Sequence, residues 1–264
     1  MLILNLLTSI NMKKIVIIFV LIFGVSFSQN TKRKLVWEEN FNGSQLDEKV
    51  WNFELGNGCP NNCGWGNNEK QIYTNSNHEL KDGFLIITIK KENEAYSSTR
   101  ITTAGKKEFK YGRIEARAKL PLGKGIWPAF WMLGSNIGKV GWPLCGEIDI
   151  MEYVGREQHM IYTTLHTQDS HGNSKNSKKT QIENIENGFH IYAVEWSEEK
   201  MDFFVDEALV YTFLPEKKTE AIWPFNQPFF ILLNVAVGGN FGGHDVDDSI
   251  FPQQYIIDYI KVYQ

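Results

Sequence analysis

From residue 84 onward, apolar and polar positions alternate with a period of two far more often than they recur every three or four residues. The sequence predicts strands at Phe84–Lys90, Gly112–Leu120, Ile148–Val154, Ile161–His166, Tyr192–Trp196, Met201–Val205, Ala208–Phe213, Phe229–Val237 and Tyr255–Tyr263. In the second of these, Arg113, Glu115, Arg117 and Lys119 alternate with Ile114, Ala116, Ala118 and Leu120, which reads as a strand with one wet face. Asp206-Glu207, between two apolar runs, reads as a hairpin turn. No segment carries a sustained helical stripe, and no internal repeat appears. Many short strands separated by Gly and Asn turns predict an all-β sandwich in a single domain spanning 29–264.

One run breaks the pattern. Glu147-Ile148-Asp149-Ile150-Met151-Glu152-Tyr153 sets three carboxylates in an apolar strand, where burying charge is costly. Alternation puts Glu147 and Asp149 on one face, whereas Glu152 has the wrong parity. A one-residue bulge near Ile150 or Met151 returns Glu152 to that face, and bulges are over-represented beside active sites. A helix would instead scatter the three acids among Ile and Met.

Composition narrows the function. The chain has 264 residues, 13% of them aromatic, with a formal net charge of −4. That charge leaves no basic field for nucleic acid or a strongly sulfated polymer, while flat rings suit the apolar faces of sugars. Met12-Lys13-Lys14 followed by the apolar stretch Ile15–Val25 and Ser26-Phe27-Ser28 reads as an export signal cut ahead of Gln29, so residues 1–28 are expected to be removed and the protein secreted or periplasmic. About eleven apolar residues are too few for a membrane anchor, which needs about 20. Of three cysteines, Cys59 and Cys63 are close enough to close a small loop disulfide in an oxidising compartment, and Cys145 is expected buried and inert.

The run E-I-D-I-M-E, followed by Tyr153-Val154-Gly155 and preceded by Trp142-Pro143, resembles the signature of glycoside hydrolase family 16. Further words of the same kind are Trp65–Thr74, Phe109–Arg117, Trp127-Pro128-Ala129-Phe130-Trp131 and Asn234–Asn240, so the resemblance covers nearly everything after residue 35. They are most similar to the laminarinase (endo-β-1,3-glucanase) branch; Met151 supports this, because mixed-linkage lichenases lack the inserted residue. Phe241 stands where many laminarinase-like sequences have Trp.

The resemblance implies a concanavalin-like jelly roll with a concave substrate cleft and retaining hydrolysis. Glu147 would be the nucleophile and Glu152 the acid/base, with Asp149 between them, and no cofactor is required for catalysis. Mutual repulsion among three acids should raise at least one pKa, assigned to Glu152. Trp127, Trp131 and Trp142 are candidates for stacking on sugar rings, with at least one of them expected in the core. Asn67, Glu69 and Arg100 resemble the family's hydroxyl-binding residues, and His166 a cleft histidine. Asp258 resembles the carboxylate ligand of a structural Ca2+ site completed by the backbone carbonyls of Glu39 and Gly83. The expected partner is a β-glucan, met by a monomer. Rival readings are the same chemistry on mixed-linkage glucan, agar or porphyran, and a non-catalytic glucan-binding lectin.

Overall fold

The structure, a computed structural model, describes residues 33–264; the expected export signal lies outside the described residues. Among the described residues eighteen strands follow one another. The first nine are β1 (Leu35–Glu39), β2 (Asn52–Phe53), β3 (Gln71–Tyr73), β4 (His78–Lys81), β5 (Phe84–Glu92), β6 (Ala95–Ser98), β7 (Arg100–Thr102), β8 (Glu108–Phe109) and β9 (Gly112–Lys119). The rest are β10 (Ile126–Gly134), β11 (Glu147–Tyr153), β12 (Met160–His166), β13 (Ser177–Gln181), β14 (His190–Trp196), β15 (Met201–Val205), β16 (Ala208–Phe213), β17 (Phe229–Val237) and β18 (Gln253–Tyr263). Two four-residue helices, α1 (Ile137–Val140) and α2 (Gly239–Gly242), are the only α-helices among the described residues. None is long and apolar enough to cross a membrane.

The strands form two sheets, as the jelly-roll expectation requires. One runs β16-β15-β14-β9-β18-β5-β6-β3, with β1 also on β18 and β4 on β5; the other runs β13-β12-β11-β10-β17-β7-β2, with β8 on β17. Their facing surfaces make one core. Ile114, Ala116 and Ala118 of β9, Leu85, Ile87 and Ile89 of β5, and Ile257, Ile260 and Val262 of β18 meet Phe130, Met132, Ile148, Ile231, Leu233 and Val235 of the second sheet, all essentially inaccessible. Each of these side chains other than the two alanines contributes about 1.5–3 kcal/mol by leaving water. Every residue of β17 is buried, because it is central and covered on both faces.

Two expectations need correction. Arg113 and Glu115 are not on a wet face; they are 9% and 6% exposed. Arg113 Nε donates to Glu115 at 2.6 Å and Nη2 to Glu207 at 2.6 Å, and Glu195 stands directly opposite on β14, so the long side chains cover one another. The central strand β10 carries no strand expectation, since Pro128 breaks the pattern; the structure tolerates that proline because pairing with β11 begins one residue later, at Ala129. The Asp206-Glu207 turn does form, both residues taking the left-handed backbone (φ 48 and 66) that a tight hairpin requires.

Candidate active site

The expected bulge is present. On the β12 side Asp149 pairs with Thr164 and Glu152 with Tyr162, so Ile150 and Met151 together oppose the single residue Thr163. On the β10 side Phe130 pairs with Met151 and Trp131 with Asp149, leaving Ile150 as the extra residue. Beyond it Glu152 rejoins the face of Glu147 and Asp149, while Ile148, Ile150 and Met151 remain in the core.

What stands opposite the acids decides their chemistry. Across β10 the partners are Leu133, Trp131 and Ala129; across β12 they are His166, Thr164 and Tyr162. No lysine or arginine is among them. Asp149 is 3% and Glu152 8% exposed. Burial, then the neighbouring Asp149 charge, pushes Glu147 up to about 8. Burial raises Asp149 to about 7. Burial, reinforced by both Asp149 and Glu147, holds Glu152 well above the usual carboxylate range. His166 Nε2 lies 3.3 Å from Asp149 Oδ2 and 3.8 Å from Glu147 Oε1, and its proximity opposes the rise at both glutamates. Glu147, Asp149 and His166 each offer one donor atom within 4.8 Å, a spacing a metal ion also accepts. The carboxyl–carboxyl and imidazole–carboxylate contacts account for that proximity, and we assign no ion there.

All three tryptophans lie on this side of the sheet and each uses its indole N–H. Trp142 donates to Glu147 Oε2 at 2.8 Å, Trp127 to Glu152 Oε1 at 3.0 Å and Trp131 to Asn234 Oδ1 at 2.7 Å. None is fully buried, but Trp131, half-buried, packs against the small core cluster of Leu133, Cys145, Phe230 and Leu232. Trp142 is the most open, at 44% exposure.

Toward β7 the remaining sugar-binding candidates form a second cluster. The Arg100 guanidinium is sandwiched between Trp65 and Trp131, 4.5 and 4.9 Å from the ring centres, and ion-paired to Glu54. Glu69 accepts from Asn67 at 3.2 Å, Gln71 at 2.6 Å and Tyr73 at 3.2 Å, and burial raises its pKa despite those donors. Asn234 donates to the Tyr73 hydroxyl at 3.0 Å, which links this network to Trp131. Sequence reasoning singled out Asn67, Glu69, Arg100 and Trp131 but missed Glu54, Trp65, Gln71, Tyr73 and Asn234. The signal for Trp65, Gln71 and Tyr73 was their place in the same word as Asn67 and Glu69. The Cys59–Cys63 disulfide is formed in the loop that leads to this word, and Cys145 is the buried free thiol. At the opposite end Phe241 sits edge-on to both Trp127 and Tyr162, at 5.4 and 4.9 Å.

The calcium candidates lie on the other sheet. β18 pairs with β5 up to Ile257↔Leu85 and with β1 from Ile260↔Glu39, so Asp258 falls at the changeover, near the ends that carry Glu39 and Gly83. Two carbonyls and a carboxylate are an oxygen set that suits Ca2+. The Asp258 carboxylate, however, accepts from Arg117 Nη1, and Glu39 uses its own carboxylate on Phe41 N and Trp51 Nε1.

Comparison with known proteins agrees with this geometry. The crystal structure of laminarinase from Flavobacterium sp. UMI-01 is 69% identical and superposes with a TM-score of 0.86, covering 88% of this chain and 100% of that one. A beta-glucanase of Rhodothermus marinus is 39% identical over 248 residues, 88% of this chain and 85% of the relative. The glucan endo-1,3-beta-glucosidase A1 of Niallia circulans is 36% identical across 87% of this chain, which spans only 38% of that longer protein. Residues 65–261 match the glycosyl hydrolases family 16 profile, and the chain therefore belongs to that family of glycoside hydrolases.

Proposed function

We propose that this chain is an exported, retaining endo-β-1,3-glucanase acting on laminarin-like β-glucan, with Glu147 as nucleophile and Glu152 as acid/base. The observation that carries the reading is the Ile150 bulge, which gathers three buried carboxyls on one face with no strong cation opposite them. The similarity to a laminarinase and to glucan endo-1,3-beta-glucosidases supports the substrate class.

The electrostatics support the division of roles. Retention needs one ionised carboxylate and one protonated carboxyl. Glu152 is opposed by the charges of both Asp149 and Glu147, so it keeps its proton and serves as the acid. Glu147 is opposed by Asp149 alone, and since His166 and an indole N–H favour the charged form of both glutamates, that difference makes Glu147 the one of the two to ionise and attack the anomeric carbon. In the first step Glu152 gives its proton to the leaving glycosidic oxygen; with Glu147 glycosylated and uncharged, Glu152 then stays ionised more readily and takes a proton from the attacking water in the second step. Asp149 sets the spacing of charge between them. Trp131, Arg100, Asn67 and Glu69 would hold sugar rings on the β7 side of the bond cleaved. A structural Ca2+ held by Asp258 and the Glu39 and Gly83 carbonyls is a separate proposal; it would neutralise charge at a strand junction and take no part in the reaction.

Incubation with laminarin, lichenan and agarose in parallel tests the substrate. Release of β-1,3-linked oligosaccharides from laminarin, faster than from lichenan and absent from agarose, is expected; cleavage of agarose alone would overturn the assignment. Azide should rescue Glu152→Ala on an activated aryl β-glycoside with a β-glycosyl azide product, whereas an α-azide would reverse the two glutamates.

A further inference from the structure

We infer that Trp142 is a positioning residue, its indole N–H aiming Glu147 and favouring its ionised form, and that Trp127 aims Glu152 from the other end of the bulge and favours the charged form that Glu152 takes only after giving up its proton. The inference rests on the roles proposed above for the two glutamates. The two contacts are matched: one indole N–H to one oxygen of each carboxyl, at 2.8 and 3.0 Å. Because Trp142 holds Oε2 of Glu147, Oε1 is left free, and it is this oxygen that His166 Nε2 approaches at 3.8 Å. Because Trp127 holds Oε1 of Glu152, Oε2 is left to carry the proton.

Exposure sharpens the question for Trp142. A ring that is 44% exposed beside a carbohydrate site invites a pure stacking role. The ring is nevertheless fixed on its inner side. His171 meets it edge-on at 5.3 Å with an interplanar angle of 85°, and His166 lies at 5.9 Å. His171 is itself anchored, with Nδ1 3.2 Å from the Thr167 carbonyl. The edge-on His171 and the tilted His166 together restrict how the indole turns.

The groups that titrate around the two glutamates are few. Glu147 is faced by Asp149 on its own strand, by His166 on β12 and by the Cys145 thiol just before β11, with Leu133 opposite on β10. Glu152 is faced by Asp149 and Glu147 on its strand and by His166 and Tyr162 on β12, with Ala129 opposite on β10. The Tyr162 hydroxyl is engaged by Glu157 at 2.5 Å. Each indole thus supplies its glutamate with a neutral donor that favours the charged form, and removing it must raise that glutamate's pKa.

Phenylalanine removes the N–H and keeps an aromatic face, so Trp142→Phe and Trp127→Phe separate donation from stacking. With kcat/KM on a soluble laminari-oligosaccharide measured from pH 4 to 10, Trp142→Phe should move the acid limb up by roughly one unit. Activity below that limb should fall about tenfold, with KM changed less than about twofold. Trp127→Phe should move the basic limb up instead. In the unsubstituted enzyme, the Trp142 indole 1H–15N resonance should titrate with the acid limb, a readout that does not depend on any variant folding. An unchanged profile for Trp142→Phe, with KM raised only by Trp142→Ala, would make Trp142 a stacking surface and overturn the inference, as would an indole resonance that does not titrate. If the two variants move each other's limbs, donation stands but the assignment of nucleophile and acid is reversed.

Discussion

Strands β9 and β11 each bury acidic side chains two residues apart from another charged or acidic neighbour, and they treat them in opposite ways. On β9, Glu115 is bound to Arg113, which also reaches Glu195 and Glu207. On β11, Glu147 and Asp149 face each other and Glu152, with one imidazole for company. The first arrangement neutralises what it buries and belongs to the fold. The second leaves charge uncompensated, so protons are retained far above their usual range, and belongs to the reaction.

Substitution should break this comparison most visibly in activity. Glu147→Ala and Glu152→Ala should each cut hydrolysis of laminarin by at least about 10²–10⁴-fold, the range for a positioned acid or base, with a melting temperature no lower than that of the parent. On β9 the outcome should invert. Glu115→Ala takes one of three carboxylates from the Arg113 guanidinium, which keeps Glu207 and Glu195, so the loss is that of a hydrogen bond to a charged group, about 1.5–3 kcal/mol. Calorimetry should show melting about 5 °C lower, while kcat of the folded enzyme is unchanged.

Calcium tests a different junction of the same sheet as β9. A ligand that binds only the folded state stabilises by about 2.7 kcal/mol at 100 times its Kd, or about 5–10 °C here. Chelation should lower melting by that amount without slowing initial hydrolysis, and Asp258→Ala should abolish the response. Unchanged melting on chelation refutes the site.

The smallest effect is a difference in pH slope. Asp149 and Glu147 have folded pKa values raised to about 7 and about 8, so their unfolded forms ionise first, and stability should fall as pH rises from about 4 to 8. Glu195 is held below its usual value by Arg33 and Arg113, so its contribution is present above the unfolded pKa and lost as pH falls. Melting curves of the triple variant Glu147→Gln/Asp149→Asn/Glu152→Gln should therefore lose most of the decline toward alkaline pH and keep the loss on the acid side. A triple variant that declines as steeply as the parent would mean the β11 acids are not the origin of the slope.

The sequence made the site legible because three acids in an apolar run violate a rule that strands otherwise keep, and the parity of Glu152 demanded the bulge. The same rule misled on β9. Alternating charge looks identical whether it faces water or a partner, and the partners Glu195 and Glu207 lie 82 and 94 residues from Arg113. Asn234 escaped for the same reason, since it meets Tyr73 across 161 residues. For Trp142, five residues of spacing put the ring near Glu147 but do not distinguish a ring face from a ring N–H. Pro128 hid β10, because a proline argues against a central strand, and here it falls just before the pairing with β11 begins at Ala129.

The most direct test of the unneutralised face of β11 is to trap it in the act. An activated 2-deoxy-2-fluoro β-laminaribioside should stall after the first displacement, and peptide mapping by mass spectrometry should place the sugar on Glu147. Labelling that is absent in Glu147→Gln and still present, though slower, in Glu152→Ala completes the expected pattern. A sugar found on Glu152 or Asp149, or steady turnover with no adduct and an α-anomeric product, would contradict the account.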